Sequence, residues 1–582
     1  MSTVLNQLVL LFAVFAGPGQ QPAAEPLLTV AEKSDFKATS RHADVVAFCE
    51  RLAKEAPLVR LGELGTSHEG RKLPLIILAD PPISTPEEAE KSGKVVVFAM
   101  GNIHAGEVDG KEAILMLARE IATAKDKPLL KDLVIVFAPI FNADGNERID
   151  KKHRTDQNGP TEGVGIRENA QGFDLNRDFV KLESPEVRAL VQFLNKWKPA
   201  LMVDMHTTNG SYHRYTLTYD GPRHPAADAP LIELVRDRLL PDVGKKLEAG
   251  AGYKSFFYGD FSPDHKKWLT YGAQPRFGLQ YVALRHRISI LSESYTYAPF
   301  KDRVLVGKAF VQGLFEYVAE HKDEIRKLEA DPKTPDKIPL RMKTVARSKP
   351  YTALGFIEEM KDGRHVPTDQ AKDYEVELID RVEPTLFVTR PYAYLFPASY
   401  AKVVENLQRH GIQVEELRED IELDVEVYRV DKIEKAKQPF QKHTLETVDV
   451  TARPEARRFS AGTILVKTAQ PLGTLASFIL EPQADDGLTT WNFFDAGLEE
   501  KKDFPVVRLL ASTPITSGAV KPLSEERKTK KTITEDMVYG KEPMPNLHGN
   551  PVGGLTWLED GEHFLQIKEN QLRKVNARTG RS

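Results

Sequence analysis

The sequence predicts an α/β fold over residues 40 to 325, a mixed sheet covered by helices, followed by a second β-rich α+β domain. Three observations carry this. Apolar runs at Leu73–Ala79, Val95–Met100, Leu133–Pro139, Ala200–Met205 and Ile288–Leu291 have the length and composition of buried strands. Between them, Asp109–Ala124, Pro185–Trp197, Pro230–Leu247 and Phe300–Leu328 have helical periodicity. Several of the apolar runs end in His or Glu, and strand ends are where open α/β sheets carry their chemistry.

The elements follow in chain order. Residues 1–25 hold the apolar run Leu8–Gly17, too short to span a bilayer and of signal-peptide length, although no Lys or Arg precedes it and no clean A-x-A site follows. The expectation is export, to a secreted or periplasmic location. Residues 26–330 form the expected catalytic domain, in which Ser184 caps the Pro185 helix and Pro185 suits its first position. Around Asp331–Pro339 the chain turns to Pro and charge, so 331–345 is expected as a linker. Residues 346–520 contain β-type runs at Pro384–Thr389 and Ala461–Val466 and one helix at Ser399–His410. No catalytic pattern appears there, and the segment is expected to pack on the first domain or shape access to its site. Residues 521–582 open with the charged stretch Ser524–Thr532, and Gly553–Gly561 then faintly resembles the start of a dipeptidyl-peptidase-type propeller; an ordinary hairpin is the alternative.

Composition bounds the function. With 41% hydrophobic and 28% charged residues the chain has ample material for a core. A net charge of −4 supplies no footprint for nucleic acid or an anionic membrane, and no later segment is transmembrane. The single cysteine, Cys49, excludes internal disulfides and argues against cysteine-based catalysis or zinc binding.

His104-x-x-Glu107 directly follows the apolar run that ends at Met100, a setting that suggests half of a zinc site. The same spacing recurs at His321/Glu324, in a charged helical stretch, and at His443/Glu446, in a polar segment, so neither copy follows a buried strand. A catalytic zinc needs a third protein ligand and an open position for water, and His206, ending the Ala200–Met205 run, supplies the ligand.

With Pro139-x-x-Asn142-x-Asp144-Gly145, Asp174-x-Asn176-Arg177 and the strand-end Glu293 added, the sequence resembles the zinc carboxypeptidase (metallocarboxypeptidase) family, whose five signatures occur here in order. The resemblance ends just past Glu293. It implies Zn2+ held by His104, Glu107 and His206, with Asp174 hydrogen-bonded to the first histidine. It also implies Asn176 and Arg177 as the grip on a substrate's C-terminal carboxylate, which suits the planar guanidinium fork, and Glu293 as general base. A surface salt bridge to Asp178 is the alternative for Arg177. An arginine that polarises the scissile carbonyl is expected upstream of Asn176, with Arg154 preferred to Arg167, and a tyrosine that closes over substrate is expected at Tyr271 or Tyr281.

The expected function is zinc-dependent peptide hydrolysis that removes C-terminal residues, on a peptide substrate with a free C-terminus. Two alternatives are a zinc amidase or deacylase of acylated amino acids or cell-wall peptides, and a non-catalytic binding protein with the same fold.

Overall fold

The computed structural model describes residues 25–361 and 363–521, together with 556–557, 563–568 and 571–576. The expected signal peptide therefore lies outside the described residues. In the first part of the chain the strands are β1 (Val59–Thr66), β2 (Lys72–Leu78), β3 (Val95–Gly101), β4 (Leu133–Ala138), β5 (Leu201–Thr208), β6 (Leu217–Asp220) and β7 (Ser255–Phe257), then the short β8 (Asp260–Phe261) and β9 (Lys267–Leu269), and β10 (Ile288–Tyr295). All but β8 and β9 form one sheet in the order β1-β2-β4-β3-β5-β10-β6-β7. Its centre, β4-β3-β5-β10, is parallel, while β1, β2 and β6 add antiparallel pairings.

The parallel strands are apolar because helices cover both faces, which leaves no alternation of polar residues. Every residue of β3 and β4 is buried. The helix Pro185–Trp197 begins as expected, with Ser184 Oγ accepting from Val187 N at 3.3 Å and Pro185 in its first turn. The expected helix Phe300–Leu328 is two, Phe300–Glu320 and Lys322–Ala330, broken at His321.

The expected linker 331–345 contains a ten-residue strand instead, β11 (Lys337–Ala346). It is followed by β12 (Tyr351–Lys361), the long β13 (Arg364–Thr389), β14 (Ala393–Phe396), β15 (Glu415–Leu417), β16 (Ile421–Lys435), β17 (Glu446–Phe459), β18 (Ile464–Lys467), β19 (Val507–Leu509) and β20 (Ser517–Ala519). The accessory part is thus β-rich, with one helix at Ala401–His410 and another at Gly473–Leu480. Its main sheet runs β17-β16-β19-β14-β18-β15-β20. A third sheet joins both parts: β13 pairs in parallel with β9, setting Leu378 opposite Trp268. The described residues up to Val520 accordingly form one compact unit, and those from Lys521 onward a second. In the latter, Thr556–Trp557, His563–Lys568 and Gln571–Asn576 form an antiparallel meander.

Among the described residues, no helix is long and apolar enough to cross a membrane.

Candidate active site

Strand β3 ends against the start of the helix Asp109–Thr123 so closely that a Cβ at Gly101 would lie 2.8 Å from Gly110 backbone. The chain turns through Asn102, whose φ is +68°, into the loop that carries His104 and Glu107. Strand β5 delivers His206, and Glu293 sits on the adjacent parallel strand β10. His104, Glu107 and His206 are each only 3% exposed, and one donor atom from each lies within 4.8 Å of the others. His104 Nδ1 is 2.9 Å from Glu107 Oε1 and His206 Nδ1 is 2.9 Å from Glu107 Oε2.

The donor set fits zinc. Two imidazole nitrogens and a carboxylate at about 2.0–2.2 Å from one ion would stand roughly 3.3 Å apart, close to the separations seen. The far side of each ring meets a carboxylate, as a metal-binding histidine requires if its ring and tautomer are to be fixed. His104 Nε2 lies 3.0 Å from Asp174 Oδ1. His206 Nε2 lies 2.9 Å from Asp204 Oδ2, at an angle outside hydrogen-bond geometry. Asp204 was not among the expected residues, yet it is two residues before His206 on one strand, and that Asp-x-His alternation places both on the same face.

The other two His-x-x-Glu pairs are structural. His321 stacks on Tyr317 at 4.0 Å while Glu324 binds Arg238, and His443 binds Glu183 while Glu446 binds Lys435. Among the described residues, His104, Glu107 and His206 are the cluster able to hold a metal.

Charge is organised around this triad. Burial opposes ionisation of Glu107, but the His104 and Arg154 charges outweigh it and hold the carboxyl well below the usual range. Burial likewise opposes ionisation of Asp174, and His104, Arg177 and Arg167 override it. At Glu293 burial prevails: the carboxyl is pushed up to about 8, with His206 pulling it down and Glu107 and Asp204 pushing it further up.

Asp174 caps the turn Leu175–Arg177 by accepting from Asn176 N at 2.9 Å. Asn176 Oδ1 accepts from Gly278 N at 2.9 Å, and the Arg177 guanidinium lies 4.4 Å from the centre of the Phe277 ring. The alternative of an Arg177–Asp178 salt bridge fails, because Asp178 is fully buried and held by Lys181 and by Ser184. Both candidate arginines reach the triad. Arg154 Nη2 is 2.8 Å from Glu107 Oε1, lying across Gly106, where a Cβ would meet it at 2.5 Å. Arg167 is anchored on Asp174 Oδ2 through Nε at 2.9 Å and Nη2 at 2.8 Å, which aims Nη1 to within 3.3 Å of His104 Nδ1. The Asn142–Gly145 turn is a brace: Asn142 Nδ2 donates to Arg167 O at 3.1 Å, and buried Asp144 accepts from Ser67, Glu69 N and Arg71.

The triad, Glu293, Asn176 and the three arginines Arg154, Arg167 and Arg177 line a cavity of about 690 Å³. Tyr271 forms part of its wall, edge-on to Tyr258 and Phe277. Tyr281 is instead fully buried, its hydroxyl 2.8 Å from His410 Nδ1.

Residues 45–238 match the zinc carboxypeptidase family. This segment is similar to a zinc carboxypeptidase domain. The chain is 24% identical to carboxypeptidase 2 of Trichophyton rubrum over 492 residues, which cover 81% of this chain and 86% of that one. It is 30% identical to carboxypeptidase D of Mus musculus over 192 residues, 29% of this chain and 14% of that protein. Among solved structures it is similar to the carboxypeptidase A of Helicoverpa armigera, with 15% identity, a TM-score of 0.38, and coverage of 50% of this chain and 75% of that one. The match to carboxypeptidase 2 is too long to be confined to residues 26–330, so the shared sequence reaches into the accessory part. The chain is a zinc metallocarboxypeptidase-like hydrolase whose cofactor is Zn2+ and whose chemistry is metal-dependent hydrolysis of peptides.

Proposed function

We propose that this carboxypeptidase domain acts as an exopeptidase, removing residues from the free C-terminus of a peptide. The observation that carries the reading is that Asn176 and Arg177 line the same cavity as His104, Glu107, His206 and Glu293. A carboxylate gripped by the guanidinium leaves the last peptide bond at the donor triad. His104, Glu107 and His206 hold the zinc ion, which when bound supplies Lewis acidity and acidifies water.

Glu293 takes the proton from the attacking water and delivers it to the leaving amine. Its buried setting, which disfavours a bare negative charge, suits a carboxyl that must both accept and release a proton. Asp174 fixes the ring of His104 through a hydrogen bond, and Asp204 sets its negative charge against the ring of His206. Of the two candidate arginines, Arg167 suits the scissile carbonyl better than Arg154. Its anchoring on Asp174 leaves Nη1 beside the triad, 3.7 Å from Glu107 Oε1, whereas Arg154 is hydrogen-bonded to that same oxygen at 2.8 Å. Tyr271 is the tyrosine placed to close over substrate. Export is part of the same reading and rests on the Leu8–Gly17 run.

The test is the Glu293→Gln variant, assayed on paired peptides with free and amidated C-termini beside its zinc content. Wild type should cleave only the free-carboxylate peptides, and the variant should keep zinc while kcat falls by about 10²–10⁴. Full turnover in the variant removes Glu293 from the mechanism, and equal cleavage of amidated peptides removes the exopeptidase assignment.

A further inference from the structure

The accessory part reaches the site at two places. The first is a tight turn just before β17, closed by a pair of backbone hydrogen bonds, Phe440 N to His443 O at 2.8 Å and His443 N to Phe440 O at 3.0 Å. Its two central residues, Gln441 and Lys442, have φ of +50° and +67°. Two left-handed residues in succession ordinarily call for Asn and Gly. Gln and Lys are poor choices for the backbone, and strained backbone that persists is a pointer to function.

Both side chains have work elsewhere. Gln441 Oε1 accepts a hydrogen bond from the backbone N of Asp174 at 2.9 Å. Lys442 Nζ donates to Gln171 O at 2.6 Å and lies 4.2 Å from the centre of the Phe173 ring. Next to them His443 bridges Glu183 and Asn492. The turn therefore grips residues 171–174 from outside the catalytic part.

The second place is Asp485–Asp486. Asp485 Oδ2 accepts from Gln274 Nε2 at 3.0 Å. Asp486, fully buried, accepts from Arg276 N at 2.6 Å and from Trp491 Nε1 at 2.7 Å. The Arg276 guanidinium lies 5.3 Å from the centre of the Phe440 ring and 5.1 Å from that of Trp491, so the two contact places are joined through it. The loop held in this way leads from Tyr271 to Phe277 and Gly278, the opposite wall of the Asn176–Arg177 corner.

We propose that the accessory part is a clamp on the active site, and that Gln441 is a positioning residue that acts through Asp174 on the ring of His104. The inference rests on the proposed roles of Asp174 and His104 as positioning group and metal ligand. Asp174 is the natural point of leverage, since its carboxylate simultaneously meets His104 Nε2, Asn176 N and Arg167. Its backbone N–H has Gln441 as its acceptor. The other clamp contacts hold the two walls of the corner at a fixed width.

The decisive experiment is chelator-driven loss of zinc from the full chain, read beside thermal melting and peptide turnover. Gln441→Leu keeps the bulk and removes the acceptor, whereas Gln441→Glu retains an acceptor oxygen. Gln441→Leu should lose zinc about 10-fold faster, with kcat lowered and KM little changed, while Gln441→Glu retains zinc as wild type does. A Gln441→Leu protein that melts earlier but holds zinc like wild type overturns the proposal, because that is what a merely structural contact predicts. Equal zinc loss in both variants also overturns it. The zinc measurement needs no substrate, so a wild type that binds zinc but cleaves no peptide would end the exopeptidase reading without touching this one.

Discussion

Glu293 and His206 stand directly opposite each other on adjacent parallel strands, paired in the register of β10 with β5. Because side chains alternate along a strand, the same register sets Leu291 beside Asp204, so the lead-up to the general base runs along the second histidine's supporting carboxylate. The proposed ligand and base are thus spaced by the hydrogen bonding of the central sheet and not by loop conformation, which holds them more rigidly than a loop could.

The carboxylate behind His206 should matter as much as the one behind His104. Asp204→Asn keeps shape while removing charge, and is expected to weaken zinc affinity by about 10 to 100-fold, comparably to Asp174→Asn. Competition with a calibrated chelator measures this. Affinity unchanged in Asp204→Asn would make the contact a bystander.

Arg177→Lys preserves charge and removes the two-pronged fork. Charge-assisted hydrogen bonds are worth about 1.5–3 kcal/mol, so KM for peptides with a free C-terminus should rise roughly 10 to 100-fold while zinc content stays the same. Steady-state kinetics on a peptide series decide it, and an unaltered KM would place the carboxylate grip elsewhere.

Acid should destabilise the protein through its buried neutral histidines. Burial lowers His213, His224 and His410 to about 3 and His286 to about 4. Below pH 6.5 the unfolded chain binds protons there that the folded chain refuses. The stability these histidines support is therefore complete above pH 6.5 and declines as pH falls toward 3, by up to about 1.4 kcal/mol per pH unit for each fully buried ring. Asp486, raised to about 6, and Glu293, raised to about 8, act in the opposite sense, as do Glu186, Asp220, Asp228, Glu329 and Glu481, whose carboxyls burial also raises, so the decline is shallower than the four rings alone would give. Melting temperature should drop steadily from pH 6.5 to 4.5; a flat profile would contradict the buried neutral rings.

Cys49 is 1% exposed on the helix His42–Glu55, and burial pushes its thiol up to about 12. Thiol reagents at pH 8 should leave the native protein unlabelled and modify it stoichiometrically in denaturant. Labelling under native conditions would mean that this helix opens.

Much of the central sheet was legible because its strands are continuous apolar runs, the pattern that burial on both faces imposes. The candidate metal site stood out because two of those runs are closely followed by histidine, His104 and His206. Strand β1 was not, since only Val59 and Leu64 of Val59–Thr66 are buried and the run includes two glycines. Asp204 was hidden for a different reason: a charged residue inside an apolar run looks like an interruption until it is seen against the ring of His206, two positions on. The choice between Tyr271 and Tyr281 depended on which loop faces the cavity, and spacing along the chain carries no such information. Strand β11 was concealed by its one proline, Pro339, and its charges, which suit an edge strand as well as a linker.

The pairing of β13 with β9 has a consequence for the integrity of the chain. Trp268 lies fully buried among Tyr215 and Phe261 from one side of the chain and Ala353, Val376 and Leu378 from the other. Removing either half would open the other's interior to water, so the two should behave as one unit when the chain is truncated or recombined.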